Sequence, residues 1–251
     1  MQVFKTIFLG TILCGLSFAS TSLCPGSAAQ AVAVNSFPAT NTPPFGCNAG
    51  AASFSNFLVT TGSLNNGVTA PGPGDVTVFA TGSDTIDTIF FEAPGPGPTW
   101  VVPPDSGILD STITFTARLT GKSLFFTGLS DLLFIGPNNQ GGGSVTITER
   151  YCLGAMSLSS CPAGQSGTLT TVQNGFDIHT ASVNFDQPFN RITVQADITV
   201  DNLGSRPFGL SQVPIELFVD PPAAGAPEPA AYLLIGSALA AIGVVRRRKR
   251  S

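Results

Sequence analysis

The sequence has 251 residues, only 10% of them charged, with 28 glycines, 20 prolines and a formal charge of −4. Residues 32–226 set five basic residues against fourteen acidic ones, while Arg246, Arg247, Arg248, Lys249 and Arg250 concentrate five more basic ones at the C-terminus. An acidic body repels phosphate, which excludes nucleic acid as a partner, and a surface rich in hydroxyls and amides suits an exported β protein better than a cytosolic helical one.

At the N-terminus, Lys5 followed by the apolar run from Thr6 to Phe18 reads as a secretory signal, too short to cross a bilayer. Small-residue cleavage patterns end at Ala19 and at Ala31. The A-x-A match Ala29-Gln30-Ala31 is preferred, giving a signal peptide at 1–31 and a single folded domain at 32–220. Lipid attachment is not expected, because Leu13 and Leu23 stand before Cys14 and Cys24 where a small residue is needed. Export places the remaining cysteines in an oxidising compartment. Cys152 and Cys161 flank a loop of small residues beside a strand, which predicts a local disulfide; Cys47 is then free or paired with Cys24.

The body reads as strands. In 111–119, Ile113, Phe115, Ala117 and Leu119 alternate with Thr112, Thr114, Thr116 and Arg118. In 191–201, Ile192, Val194, Ala196, Ile198 and Val200 alternate with polar residues, so each strand has one buried and one wet face. Weaker strand patterns cover 54–60, 76–80, 85–92, 122–126, 132–135, 145–150, 168–173, 176–185 and 215–219. The Pro-Gly runs at 71–74 and 94–98 and the Asn-Gly run at 137–143 separate them. The expected fold is all-β: an antiparallel β-sandwich or jelly roll of about 9–11 strands, with phenylalanines supplying much of the core. No internal repeat is evident.

Candidate chemistry is sparse. His179, the only histidine, lies in 176–185, where apolar residues occupy both parities; a bulge or a mixed face is expected there. No nucleophile elbow accompanies it, and the histidine reads as structural. A glycosidase needs two carboxyls at a set separation, for which Asp84, Asp87, Glu149, Asp197 and Asp201 are the candidates. Asp197, Asp201 and Asn202 are the first place to look for calcium, whose ligands are hard oxygens; without an EF-hand pattern, they also fit a solvated surface. Trp100, in a proline-rich loop, either stacks on a sugar ring or pins the loop to the sheet. No cofactor, resident metal or catalytic residue is expected.

The C-terminus carries three blocks in fixed order: Pro227-Glu228-Pro229, an apolar stretch at 230–245, and the basic run 246–250. Each proline fixes its own φ and extends the residue before it, so the tripeptide is a stiff recognition segment. The linker at 221–226 lifts it away from the domain. The apolar stretch is short for a spanning helix, and its arginine-rich end stays on the cytoplasmic side. This tail resembles the PEP-CTERM sorting signal of Gram-negative bacteria that make extracellular polysaccharide; the resemblance covers residues 226–251 alone. It implies transient inner-membrane anchoring, cleavage by an exosortase-type membrane protease and delivery to the cell surface or matrix. The expected role is that of a non-enzymatic surface or matrix protein, structural or adhesive within exopolysaccharide. A carbohydrate-binding module and a secreted hydrolase are the alternatives.

Overall fold

A computed structural model describes residues 32–36, 47–62, 69–83, 85–94, 99–104, 107–121, 123–131, 134–135, 142–174 and 177–220. The signal peptide expected at 1–31, and the linker and sorting tail expected at 221–251, lie outside the described residues. Strands β1 (Val32–Ala33), β2 (Cys47–Ala49), β3 (Ala52–Thr61), β4 (Thr77–Gly82) and β5 (Ile86–Glu92) come first. They are followed by β6 (Val101–Val102), β7 (Gly107–Leu119), β8 (Phe125–Asp131), β9 (Phe134–Ile135) and β10 (Gly143–Leu153). The last five are β11 (Ser166–Asn174), β12 (Asp177–His179), β13 (Ala181–Phe189), β14 (Arg191–Asn202) and β15 (Phe208–Asp220). The count exceeds the expected range because β1, β2 and β6 are pieces of two or three residues, too short to leave a periodic signal, and because the stretch 176–185 holds two strands.

The strands form two packed antiparallel sheets. Sheet I has the order β12-β11-β10-β14-β7-β3-β2; sheet II has the order β1-β4-β5-β15-β8-β13, with β6 and β9 also pairing β15. At the centre of sheet I, β7 and β14 run in unbroken register from Arg118 opposite Arg191 to Gly107 opposite Asn202. Their alternation holds as read: Ile113, Phe115 and Ala117 and the even residues from Ile192 to Val200 are buried between the sheets. Val213, Ile215, Leu217 and Val219 of β15 meet them from sheet II. Phenylalanine rings tie the layers together, Phe115 lying 6.0 Å from Phe54 in its own sheet and 5.7 Å from Phe91 across the gap. Each such fully buried ring contributes roughly 1.5–3 kcal/mol over exposure. A bulge in β3, where Asn56 takes φ 58° and the register slips between Ser55 and Leu58, turns Phe57 inward onto Phe91 and leaves Leu58 outside.

The segment expected as one strand at 176–185 is two. His179 ends β12 beside Val172 in sheet I, and Ala181 opens β13 beside Asp131 in sheet II. The chain changes sheets at Thr180, which is why its apolar residues occupied both parities. The pattern at 122–126 is also displaced, β8 starting only at Phe125.

The predicted disulfide is present: Cys152 and Cys161 are bonded, with their Cα atoms 5.6 Å apart. It closes a loop folded over the outer face of sheet I, where Thr193 Oγ1 donates to the Ala155 carbonyl at 2.9 Å. Cys47 is disulfide-bonded as well, which removes the free-thiol alternative.

A buried carboxyl joins the sheets at their other edge. Asp87 of β5 lies against the turn between β2 and β3, in a space that exists only because residues 50 and 82 are glycines. Its oxygens are directed at the amides of Ala51 and Ala52 without closing well-formed hydrogen bonds, and burial pushes its pKa up to about 6.

Candidate ligand-binding face

The outer faces of the two sheets differ in what they have left to offer. On sheet I the outward side chains are mostly threonines, and many of them satisfy one another. Thr116 bonds Thr193 at 3.1 Å; Asp197 accepts from Thr112 at 2.8 Å and from Gln195 at 3.1 Å. No aromatic ring stands on the β7, β10 and β14 part of that face.

Sheet II carries rings and uncommitted polar groups together. Cross-strand register places Thr81, Thr88, Glu216, Ser130 and Ser182 in one row across β4, β5, β15, β8 and β13. The neighbouring row on one side is Phe79, Phe90 and Pro214, with the two rings stacked in parallel at 4.6 Å. The row on the other side is Ile86, Phe218, Gly128 and Asn184. A Cβ on Gly128 would stand 2.8 Å from Phe218 Cδ2, so this glycine is what lets the ring lie flat on the sheet. Beyond Phe90, Gln212 donates to the Glu92 carboxylate.

Both glutamates have pKa values raised by desolvation; Glu92 is buried, while Glu216 is half-buried. Among the described residues, the side chains of Thr88, Glu216 and Ser130 form no hydrogen bond; Thr88 and Ser130 are buried, and of the three Glu216 alone is half-buried and within reach of a ligand. The face thus sets half-buried Phe90 and Phe218 on either side of half-buried Glu216, with Phe79, Thr88, Ser130 and Pro214 buried around them. Such a surface suits a flat ligand with one apolar side and a hydroxylated edge. It is poorly arranged for hydrolysis: Thr88 is the cross-strand partner of Glu216, so Glu92 and Glu216 stand about four residues apart along adjacent strands, roughly 13 Å, beyond the separations glycosidases use.

The residues singled out from the sequence lie elsewhere. Trp100 is 0% exposed, so it offers no stacking platform; it packs under the loop it was expected to pin, with its carbonyl accepting from Leu210 N at 3.0 Å. The calcium candidates do not converge. Asp197 and Asp201 project outward about 13 Å apart on one strand, and Asp197 is held by Thr112, Gln195 and, at 3.9 Å, Arg150. Asn202 points the other way and is fully buried. It donates to the carbonyls of Val102, Pro103 and Arg206, while its oxygen accepts from Gly204 N. Among the described residues no three His, Cys, Asp or Glu side chains gather as a metal group. His179 is exposed on β12. Of the carboxyls considered for glycoside hydrolysis, Asp87 and Glu149 are enclosed between the sheets; Asp84 lies outside the described residues, as do Pro227, Glu228, Pro229 and the basic end.

No protein-family model matches the chain, and no curated protein sequence matches it. Among solved structures it is similar to TmCBM61, whose structure is described as a complex with β-1,4-galactotriose. Identity is 10% and the TM-score 0.29, over 67% of this chain and 90% of that one. A likeness of that size carries no inference about ligand or activity.

The sequence held a signal for this face that composition alone concealed. Phe79, Phe90 and Phe218 fall at the parity opposite to Val78, Ile89 and Leu217, which marks them as outward rings.

Proposed function

We propose that the chain is an exported, non-catalytic protein of the cell surface or extracellular matrix that engages polysaccharide through the outer face of sheet II. The reading rests on Glu216, half-buried and without a hydrogen-bond partner among the described residues, set between the half-buried rings Phe90 and Phe218. Sugar rings match both elements, with C–H faces for the aromatics and hydroxyls for the carboxylate. The sorting tail serves the same role: Pro227-Glu228-Pro229 is the segment an exosortase-type protease would cut, after transient anchoring by residues 230–245 and the basic run 246–250.

Affinity electrophoresis against a panel of soluble neutral and acidic polysaccharides tests the binding. The wild-type chain should be retarded by at least one of them. Glu216→Ala should abolish most of that retardation, while Thr114→Ala, on the outer face of sheet I, leaves it unchanged. Equal migration of all proteins in every gel would remove the proposal. Mass spectrometry of the protein from its native cell surface tests the sorting half, since it should find a product lacking Arg246 to Arg250.

A further inference from the structure

Two carboxyls lie inside the sandwich, and among the described residues no cationic side chain meets them. Glu149 follows Val145 and Ile147 at inward parity on β10 of sheet I, and Asp131 closes β8 of sheet II. Both are fully buried. They face one another across the gap closely enough for the charge of one to bear on the other. The Thr171 hydroxyl of β11, also fully buried, is turned toward Asp131 and accepts the Ala181 N–H at 3.1 Å. This places the cluster at the crossing through Thr180, near the open edge of both sheets.

None of the four carboxylate oxygens closes a well-formed hydrogen bond with a protein group. Arg150, next to Glu149 in sequence, points outward to Asp197; Arg118 and Arg206 are exposed, and Arg191 shares the outward parity of β14. Burying two negative charges without a counter-charge is costly, and burial with mutual repulsion pushes both groups up, Asp131 to about 8 and Glu149 well above the usual carboxylate range. The pair is made neutral either by keeping its protons or by taking up a cation in the gap.

We propose that Asp131 and Glu149, with the Thr171 hydroxyl, form an inter-sheet site for a hard divalent cation, with calcium the best fit. The donors are oxygens only, which selects against zinc and copper. Two carboxylates supply the matching charge of two, and bidentate binding from opposite sheets suits the flexible coordination of calcium better than the strict octahedron of magnesium. The bound ion would clip sheet I to sheet II where the chain passes between them. The site is separate from Asp197, Asp201 and Asn202, and independent of whether the outer face binds sugar.

The test is thermal unfolding of the full-length chain in detergent at about pH 8, in EDTA and in about 1 mM calcium, the affinity range of extracellular calcium modules. Calcium should raise the wild-type midpoint by roughly 2–6 °C. Glu149→Gln should lose that rise and unfold in EDTA at a higher temperature than wild type, because it removes the repulsion. Asp131→Asn should lose the rise too and serves if the first variant does not fold. Calorimetric titration of the wild type should report one calcium per chain. The proposal is overturned if calcium leaves the wild-type midpoint unchanged while acidification in EDTA raises it, the behaviour of a pair neutralised by protons. It is equally overturned if both variants keep the full calcium response.

Discussion

Replacing Trp100 by alanine separates a ring that holds the fold from one that holds a ligand. The indole is enclosed by the chain's own residues, and the segment it heads is fixed on both sides. Val101 and Val102 pair with Gly209 and Phe208, and Asn202 ties down the carbonyls of Val102 and Pro103. Burying an aromatic side chain of 150–250 Å² at about 25 cal/mol/Å² corresponds to roughly 4–6 kcal/mol, in line with the 3–5 kcal/mol typical of large aromatic-to-alanine changes in cores. For a domain of this size that lowers the unfolding midpoint by roughly 6–20 °C. Urea titration followed by far-UV circular dichroism measures it, since the variant has no tryptophan left to report. In the wild type the emission of this single tryptophan should be blue-shifted until the domain unfolds. Polysaccharide retardation of the folded variant should match wild type. Unchanged stability with lost retardation would refute the buried assignment and restore the stacking one.

Removing the Cys152–Cys161 bridge by a double serine substitution should cost about 2.5–3 kcal/mol by the chain-entropy relation for a loop of this length, read as a lower urea midpoint with little change in slope. Asn202→Ala should cost about 2–4 kcal/mol, because three carbonyls and the Gly204 amide lose their partner at once in a buried place; equilibrium unfolding measures it. Asp87 gives a pH dependence of definite sign. Its folded pKa is raised to about 6 from 3.8, so between those values the folded state holds the proton that the unfolded chain releases, and stability falls as pH rises. In EDTA, Asp87→Asn should make the fall of the urea midpoint between about pH 4 and 6.5 shallower, with Asp131 and Glu149 supplying the remainder; a slope as steep as wild type would count against it.

How far the sequence could be read depended on whether a local pattern had one cause. The β7 and β14 strands were legible residue by residue, because one face meets the core and the other meets water along their whole length. The stretch at 176–185 was not, since two short strands in different sheets share one run and period-two logic cannot show a change of partner. In β15 the readable part began at Ile215. Pro214 argues against a central strand, yet it lies within β15, opposite Phe90 of β5. Glu149 was visible as a carboxyl at the parity of Val145 and Ile147, but the sequence offered it only as one candidate among several for a glycosidase pair. Asp131 became its partner only through packing of the two sheets. Trp100 carried local signal for two roles, the loop anchor favoured by the size of its ring, and its enclosure decides for the anchor.

The strand leading to the C-terminal tail is held on both flanks, by β5 on one side and by β8 and β9 on the other. Tension transmitted through residues beyond Asp220 would run along β15 and load its ladder bonds side by side, in shear, whereas an outermost strand peels one bond at a time. A domain tethered by this end would resist being dragged open by flow or by a swelling gel.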